Sequence, residues 1–294
     1  MKKIYILITL LVSVFVLTSC TTTETEENFS LIYDRLDQEW VSRDEMKTLR
    51  VAMDLKYPPF ETVDEMNTPE GISVDIAYAF GEFIGRDIEI VNTSFGAIIP
   101  ALESGEVDIA IASMSYTEAR DEKVDFSDFY FYFKIITLVN KMWAESNGIT
   151  EDSSIDDLAN SGGSFTGIAS QVSVSIPESY GLEVLEAADL ATATENVVQG
   201  TADVLLMSAN PVVQAYKANP EETMVVWSSW KSSPIAMAVQ EGNSELQELA
   251  NDFISTFKPR PEGGGFYDFL KTRWDAVILE NLGSYGLDFY INED

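Results

Sequence analysis

The 294-residue chain has no histidine and a single cysteine, Cys20, and its 18 lysines and arginines are set against 49 aspartates and glutamates. The missing histidine removes the commonest general base and metal-binding imidazole. One thiol allows no disulfide within the chain, and Cys–His and Ser–His nucleophile schemes are excluded. Carboxylates remain for acid–base work. The net charge of −31 disfavours nucleic acid and anionic lipid as partners, because both repel such a surface. Long apolar runs are also scarce: beyond the first twenty residues none is long enough to cross a bilayer. What is present is ordinary for globular protein, with 46% hydrophobic and 23% charged residues, and enough chain for two lobes with cores.

The N-terminus reads as a signal peptide over residues 1–19. Lys2 and Lys3 form a basic start, Ile4 to Leu17 is apolar, and Leu17-Thr18-Ser19-Cys20 closes the segment. The small residues before Cys20 resemble a bacterial lipobox, which implies cleavage before Cys20 and lipid attachment to its thiol. The ordinary alternatives are a plain signal peptide with a chance cysteine, or an uncleaved anchor. Residues 20–47 read as an acidic linker. Thr21 to Asn28 suits a tether, while Ser30 to Lys47, with Leu31, Ile32, Leu36, Trp40 and Met46 among charges, suits either a short helix or partial disorder.

From Leu49 the pattern becomes periodic. Leu49 to Met53, Ile88 to Val91 and Val107 to Ala112 read as strands. Between them, Ile72, Ile76, Phe80, Phe83 and Ile84 share one helical face, stopped by Gly85, and Phe95, Ile98, Ile99 and Leu102 share another, stopped by Gly105. This β-α-β-α-β order predicts a mostly parallel sheet covered by helices. A second unit begins near Phe165, with strands at Thr166 to Ala169, Val204 to Met207 and Met224 to Trp227 and helices at Glu195 to Gln199 and Pro211 to Ala218. Ile135 to Lys141 and Ile235 to Gln240 are extended and apolar and suit two crossing strands of a hinge. The organisation expected is therefore 48–137 plus 240–294 as one lobe and 138–239 as the other. The helical segments Leu246 to Phe257 and Phe266 to Trp274 are expected to pack on the first lobe.

An internal echo links the units. Gly105-x-x-Asp108, four apolar residues and Ser113 recur as Gly200-x-x-Asp203, four apolar residues and Ser208. If the echo is structural, Ser113 and Ser208 face each other across a cleft. After the first occurrence comes Ser113-Met114-Ser115-Tyr116-Thr117-Glu118-Ala119-Arg120. Hydroxyls, backbone N–H groups and a guanidinium thus gather where a parallel strand ends, the edge at which α/β sheets bind ligands. A guanidinium matches a carboxylate with two parallel bonds. The competing reading is a surface turn with Arg120 in a salt bridge.

Several stretches together resemble the bacterial extracellular solute-binding proteins of family 3, the polar amino-acid type, over roughly residues 48 to 275. They are Tyr57-Pro58-Pro59-Phe60, Gly71-Ile72-Ser73-Val74-Asp75-Ile76-Ala77, Ile99-Pro100-Ala101-Leu102-Glu103-Ser104-Gly105-Glu106-Val107-Asp108, and Ser113 through Arg120 with Asp125-Phe126-Ser127. The second lobe matches more loosely, and Trp274 stands where the family often ends its last helix. The resemblance implies an α/β, two-lobed periplasmic-binding-protein fold of type II, with two parallel-rich sheets joined by a two-strand hinge. It implies a monomer that closes on an amino acid or related carboxylate and delivers it to the permease of an ABC transporter, with no cofactor. By the same resemblance Arg120 pairs with the ligand carboxylate, Ser115 and Thr117 help hold it, and Ser113 offers backbone contacts to an α-amino group. Tyr57 and Phe95 sandwich the ligand, against the ordinary reading of core packing, and Asp54 makes a polar contact, against the reading of a helix-capping carboxylate. Phe60 is assigned to the core.

The chain departs from the family pattern in the second lobe. Where an acid usually meets the ammonium stands Ser208, followed by Ala209, Asn210 and a Pro211 one residue late. The usual Gly- and Thr-rich cluster is Gln171-Val172-Ser173, in which Ser173 can still donate at a helix start. Three readings stay open: Ser208 and Asn210 hold the ammonium as neutral acceptors, Asp54 or another carboxylate does so, or the ligand is not a standard α-amino acid. Ser73 replaces a usual acid after Gly71, at a position read as structural. Two other functions compete with import. A dehydratase on this fold would need an acid near the ligand, with Asp54 the visible candidate, and a fused catalytic domain finds no room after Trp274. A sensory subunit would share the same soluble domain. The tail from Ile278 to Asp294, with Tyr285, Phe289 and Tyr290, is longer than the family's usual end and suits capping a lobe or meeting a partner.

Overall fold

The computed structural model describes residues 48–256, 265–283 and 285–291; the expected signal peptide, Cys20 and the linker to residue 47 lie outside them. The first sheet is built from β1 (Leu49–Met53), β4 (Ile88–Asn92), β5 (Ile109–Ala110), β6 (Val124–Phe126) and β12 (Ala238–Gln240), in the order β4-β1-β5-β12-β6. A small hairpin of β2 (Thr62–Val63) and β3 (Pro69–Glu70) stands beside it. The second sheet contains β7 (Phe131–Asn140), β8 (Phe165–Ile168), β9 (Val184–Ala187), β10 (Val204–Ser208) and β11 (Thr223–Ile235), in the order β11-β7-β10-β8-β9. Among the described residues no helix is long and apolar enough to cross a membrane.

Both sheets are mixed rather than mostly parallel. In each, a central first strand is flanked in parallel by the next two of its own unit, giving β4-β1-β5 and β9-β8-β10. The strands that join antiparallel, β12 on β5 with β6 beyond it and β7 on β10 with β11 beyond it, are those adjoining the crossings between the sheets. A parallel neighbour needs a full crossover connection, whereas a strand entering from the other unit can pair antiparallel directly.

The echo is structural. Gly105 and Gly200 end their helices at φ +70° and +67°, the left-handed region that glycine enters without penalty. The Asp108 N–H donates to the Arg50 carbonyl at 2.9 Å, and its carboxylate accepts the Arg50 N–H at 2.8 Å. Asp203 repeats both contacts with Ser164, each at 2.8 Å. Ser208 therefore ends β10, and Ser113 stands at the equivalent place three residues beyond β5.

The passage between the sheets falls earlier than the sequence suggests. Ile135 to Asn140 lies wholly in the second sheet, paired with β10 and β11, and β12 is already in the first. The chain crosses through residues 127–130 and returns through 236–237, beside a bridge between Ser115 and Ile235. An apolar run suits a strand buried on both faces in either sheet, so the pattern alone could not locate the crossing.

Helices cover the sheets. In the first lobe they are α1 (Ile72–Phe83), α2 (Phe95–Glu103) and the short α3 (Glu118–Asp121). The second carries α4 (Lys141–Asn147), α5 (Ile155–Asn160), α6 (Val172–Ser179), α7 (Leu190–Val198) and α8 (Ala209–Ala218). Then come α9 (Ser244–Ser255) and α10 (Phe266–Leu282); α4 and α5 were not anticipated. Ile98 and Leu102 of α2 are fully buried against Ala52, Ala110 and Phe126, which contributes about 1.5 to 3 kcal/mol for each large side chain. Gly71 enters α1 at φ +133°, where a Cβ would lie 2.2 Å from the Phe60 carbonyl oxygen.

The last helix meets the first lobe through the expected segment and runs on past Trp274 to reach the second. On α1, Asp75 accepts the Trp274 indole N–H at 2.7 Å and pairs with Arg273 at 3.1 Å. On α8, Asn210 accepts from Asn281, and Lys217 donates to the Glu280 carbonyl. Tyr290 beyond it is fully buried between Phe60 and Phe133, with ring centres 5.3 Å from each, so part of the tail caps the crossing. Trp274→Phe removes the bond to a charged acceptor that Arg273 still neutralises. It should cost about 1 to 2 kcal/mol, read as a lower urea midpoint at unchanged slope.

Candidate functional site

A cavity of about 260 Å³ lies between the lobes, just below the usual range of small-molecule pockets. Seven residues singled out in the sequence line it: Asp54, Tyr57, Phe95, Ser113, Ser115, Arg120 and Ser208. Two hydrogen bonds span it. The Tyr57 and Ser208 hydroxyls are 2.6 Å apart, and Arg120 Nη2 donates to the Ser170 carbonyl at 2.7 Å.

Arg120 is held by its own turn. The Thr117 hydroxyl caps α3 by accepting the Arg120 N–H at 3.3 Å, and Arg120 Nη1 donates to the Ser115 carbonyl at 2.6 Å. The guanidinium also lies 5.1 Å from the centre of the Phe95 ring, within cation–π range. Its hydrogen-bond acceptors are neutral carbonyls, and among the described residues no carboxylate lies within ion-pair distance. Burial lowers its pKa to about 10, so it stays cationic at neutral pH. A partly buried cation without a counter-charge suits an anion, whose charge would offset the cost of its burial.

Three of the expected residues stand beside the cavity. Thr117 lines an adjoining groove with Arg120, Ser170 and Gln171. Ser173 is buried, and its hydroxyl accepts the Ile168 N–H at 2.9 Å, fixing the turn that presents Ser170 and Gln171. Asn210 is fully buried on α8 with its carbonyl turned to Asn281. Asp54 lines the cavity and also accepts the Phe95 N–H at 3.0 Å at the start of α2, so its two readings coexist.

Sequence reasoning missed Glu61, Asp189 and Ser170, all of which line the cavity. Asp189 caps α7, accepting the Thr192 N–H at 2.9 Å. Glu61 follows Phe60 in the loop closed by the Tyr57–Glu61 bridge, is 1% exposed, and accepts the Ser113 hydroxyl proton at 2.9 Å. Burial raises its carboxyl to about 8; Ser73 and Ser113 hydrogen bonds pull the other way and the nearby Asp54 charge adds to the rise. In a chain with 49 acids, one more carboxylate beside a hairpin gave no signal of burial.

Comparison with known proteins agrees with this geometry. The family model for bacterial extracellular solute-binding proteins, family 3, matches residues 49–274. A probable histidine-binding protein of Neisseria gonorrhoeae is 26% identical over 78% of this chain and 84% of its own length. A putative ABC transporter arginine-binding protein 2 of Escherichia coli K12 is 24% identical over 78% of this chain and 90% of its own. The solved structure of an ancestral arginine-binding protein bound to glutamine superposes with a TM-score of 0.66 and 29% identity, covering 78% of this chain and 99% of that one. The fold is the two-lobed periplasmic-binding-protein fold of type II, and these relatives are named as binding proteins. A family match over most of the chain, two lobes around a cavity and an unneutralised guanidinium inside it agree: the chain belongs to the bacterial extracellular solute-binding proteins, family 3.

Proposed function

We propose that the chain captures an amino acid or related small carboxylate between its lobes and delivers it to the permease of an ABC transporter. The observation that carries this is the Arg120 guanidinium, cationic, partly buried and without a carboxylate partner in the cavity. The ligand carboxylate binds Arg120 beside Ser115, Tyr57 and Phe95 bury the carbon skeleton, and Ser208 closes from the second lobe through Tyr57. Thr117 and Ser173 act by positioning Arg120 and the Ser170 turn, and Asn210 by joining α8 to α10. Named ligands of the relatives support the same class: histidine, arginine and glutamine. In this reading the protein works as a monomer exported by residues 1–19 and anchored through lipid on Cys20, it binds without converting its ligand, and signalling is the secondary alternative.

A thermal-shift screen over L-amino acids, opines, betaines and small carboxylates tests it. At 100 times Kd a ligand stabilises by about 2.7 kcal/mol, so at least one carboxylate should raise the melting temperature by several degrees and be recovered unchanged afterwards. Stabilisation by neutral sugars or cations alone would overturn the reading. Radiolabelled palmitate entering the wild type but not Cys20→Ala tests the anchor.

A further inference from the structure

We propose that Glu61 is the counter-group for a cationic nitrogen of the bound molecule, so that the cavity selects ammonium-bearing carboxylates, and that Glu61 gives up a proton to solvent as the complex forms. The proposal rests on the carboxylate reading of Arg120.

Four charged groups besides Glu61 line the cavity: Asp54, Lys56, Asp189 and Arg120. Two of the three acids are also anchored at helix starts, Asp54 on the Phe95 N–H and Asp189 on the Thr192 N–H. Glu61 is the acid whose contacts are hydroxyls, those of Ser113 and Ser73. Hydroxyls can turn and share an oxygen with a second donor, whereas Asp54 and Asp189 are each held in place by the backbone N–H that one of their oxygens caps. Among the described residues no lysine or arginine pairs with Glu61. In the second lobe the equivalent strand ends in Ser208, a neutral residue bonded to Tyr57. Besides the helix-capping Asp189, the second lobe brings no carboxylate to the cavity, and the acid held by hydroxyls alone belongs to the first lobe.

Glu61 also stands next to the Arg120 run through Ser113, two residues before Ser115. A zwitterion presents both charges over a short distance, and this wall offers one group of each sign. Tyr57 and Tyr130 pack near the carboxyl, and with Asp54 the field there is electronegative. Held at about 8 by burial, the carboxyl is mostly protonated at pH 7 without ligand. A cation beside it lowers its pKa, so binding moves a proton from the carboxyl oxygen to buffer and leaves a buried ion pair.

The test is calorimetry on the wild type and Glu61→Gln with L-arginine, L-histidine and L-glutamine, each paired with its deamino acid stripped of any side-chain cation. Glu61→Gln should weaken the tightest amino acid by about 30-fold or more and its deamino analogue by less than about threefold. In buffers of different ionisation heat, the wild type should release close to one proton per amino acid at pH 7 and the variant none. Wild-type affinity should rise about tenfold from pH 6 to pH 7. The wild-type proton release stands even if the variant folds poorly. Equal weakening of both members of a pair, or binding without proton release, would overturn the proposal. Tight binding of the deamino acids with none of the amino acids would overturn it while leaving the Arg120 reading intact. Failure of every carboxylate would overturn both.

Discussion

Replacing Arg120 by alanine should abolish ligand binding while leaving the ligand-free protein folded. The guanidinium is the cation that the carboxylate would meet in the cavity wall at Ser113 to Arg120, and truncating one partner of a buried charge pair costs 2 to 5 kcal/mol or more. That corresponds to roughly 30-fold to several-thousand-fold in Kd. The cost to folding is small by comparison. Arg120 forms two hydrogen bonds to carbonyls, of Ser115 and Ser170, and its removal also relieves the desolvation that lowers its pKa. A shift within about 1 kcal/mol is expected, since net hydrogen-bond contributions are of that size and oppose the charge's burial. Arg120→Lys keeps the charge and loses the planar fork, so its affinity should fall between wild type and alanine. Calorimetry gives the affinities, and denaturant melts verify the fold.

Without ligand, the protein should lose stability as pH rises from 5 to 9. The Glu61 carboxyl is raised by burial to about 8 from an ordinary value of 4.5, so the folded state holds a proton that the unfolded chain has released. The contribution is fully present below the unfolded pKa and is lost as pH rises through the folded one. At about 1.4 kcal/mol per pKa unit, the loss is on the order of several kcal/mol. Asp108, Asp157, Asp189 and Asp288 are shifted down by their partners, and their linkage falls at more acid pH. Glu61→Gln cannot ionise, so its denaturant midpoint should stay nearly level from pH 5 to pH 9 while that of the wild type falls. Parallel curves would place the titration elsewhere.

The α/β order and the internal echo were legible because they rest on local chemistry. A glycine ends each helix, an aspartate binds the backbone at the strand entrance, and a serine marks its end. The crossing between lobes was not legible, because Ile135 to Lys141 has the same apolar character whichever sheet it joins. The antiparallel edges escaped for a related reason: pairing of β12 with β5 joins residues more than a hundred positions apart. At the site, Arg120 and Ser115 were marked by a run of hydroxyls and a guanidinium at a strand end, whereas Tyr57 and Phe95 were marked by the family resemblance, since their residue types alone suit core packing as well. Thr117, Ser173 and Asn210 lie one helical turn or less from cavity residues, a difference that spacing does not resolve. Glu61 was hidden because burial, not residue type, sets it apart.

The most direct test is a crystal structure with the amino acid that stabilises the protein most. The account predicts its carboxylate within hydrogen-bond distance of the Arg120 guanidinium, between Tyr57 and Phe95. A carboxylate bound elsewhere, with Arg120 still engaged only by the Ser115 and Ser170 carbonyls, would contradict it.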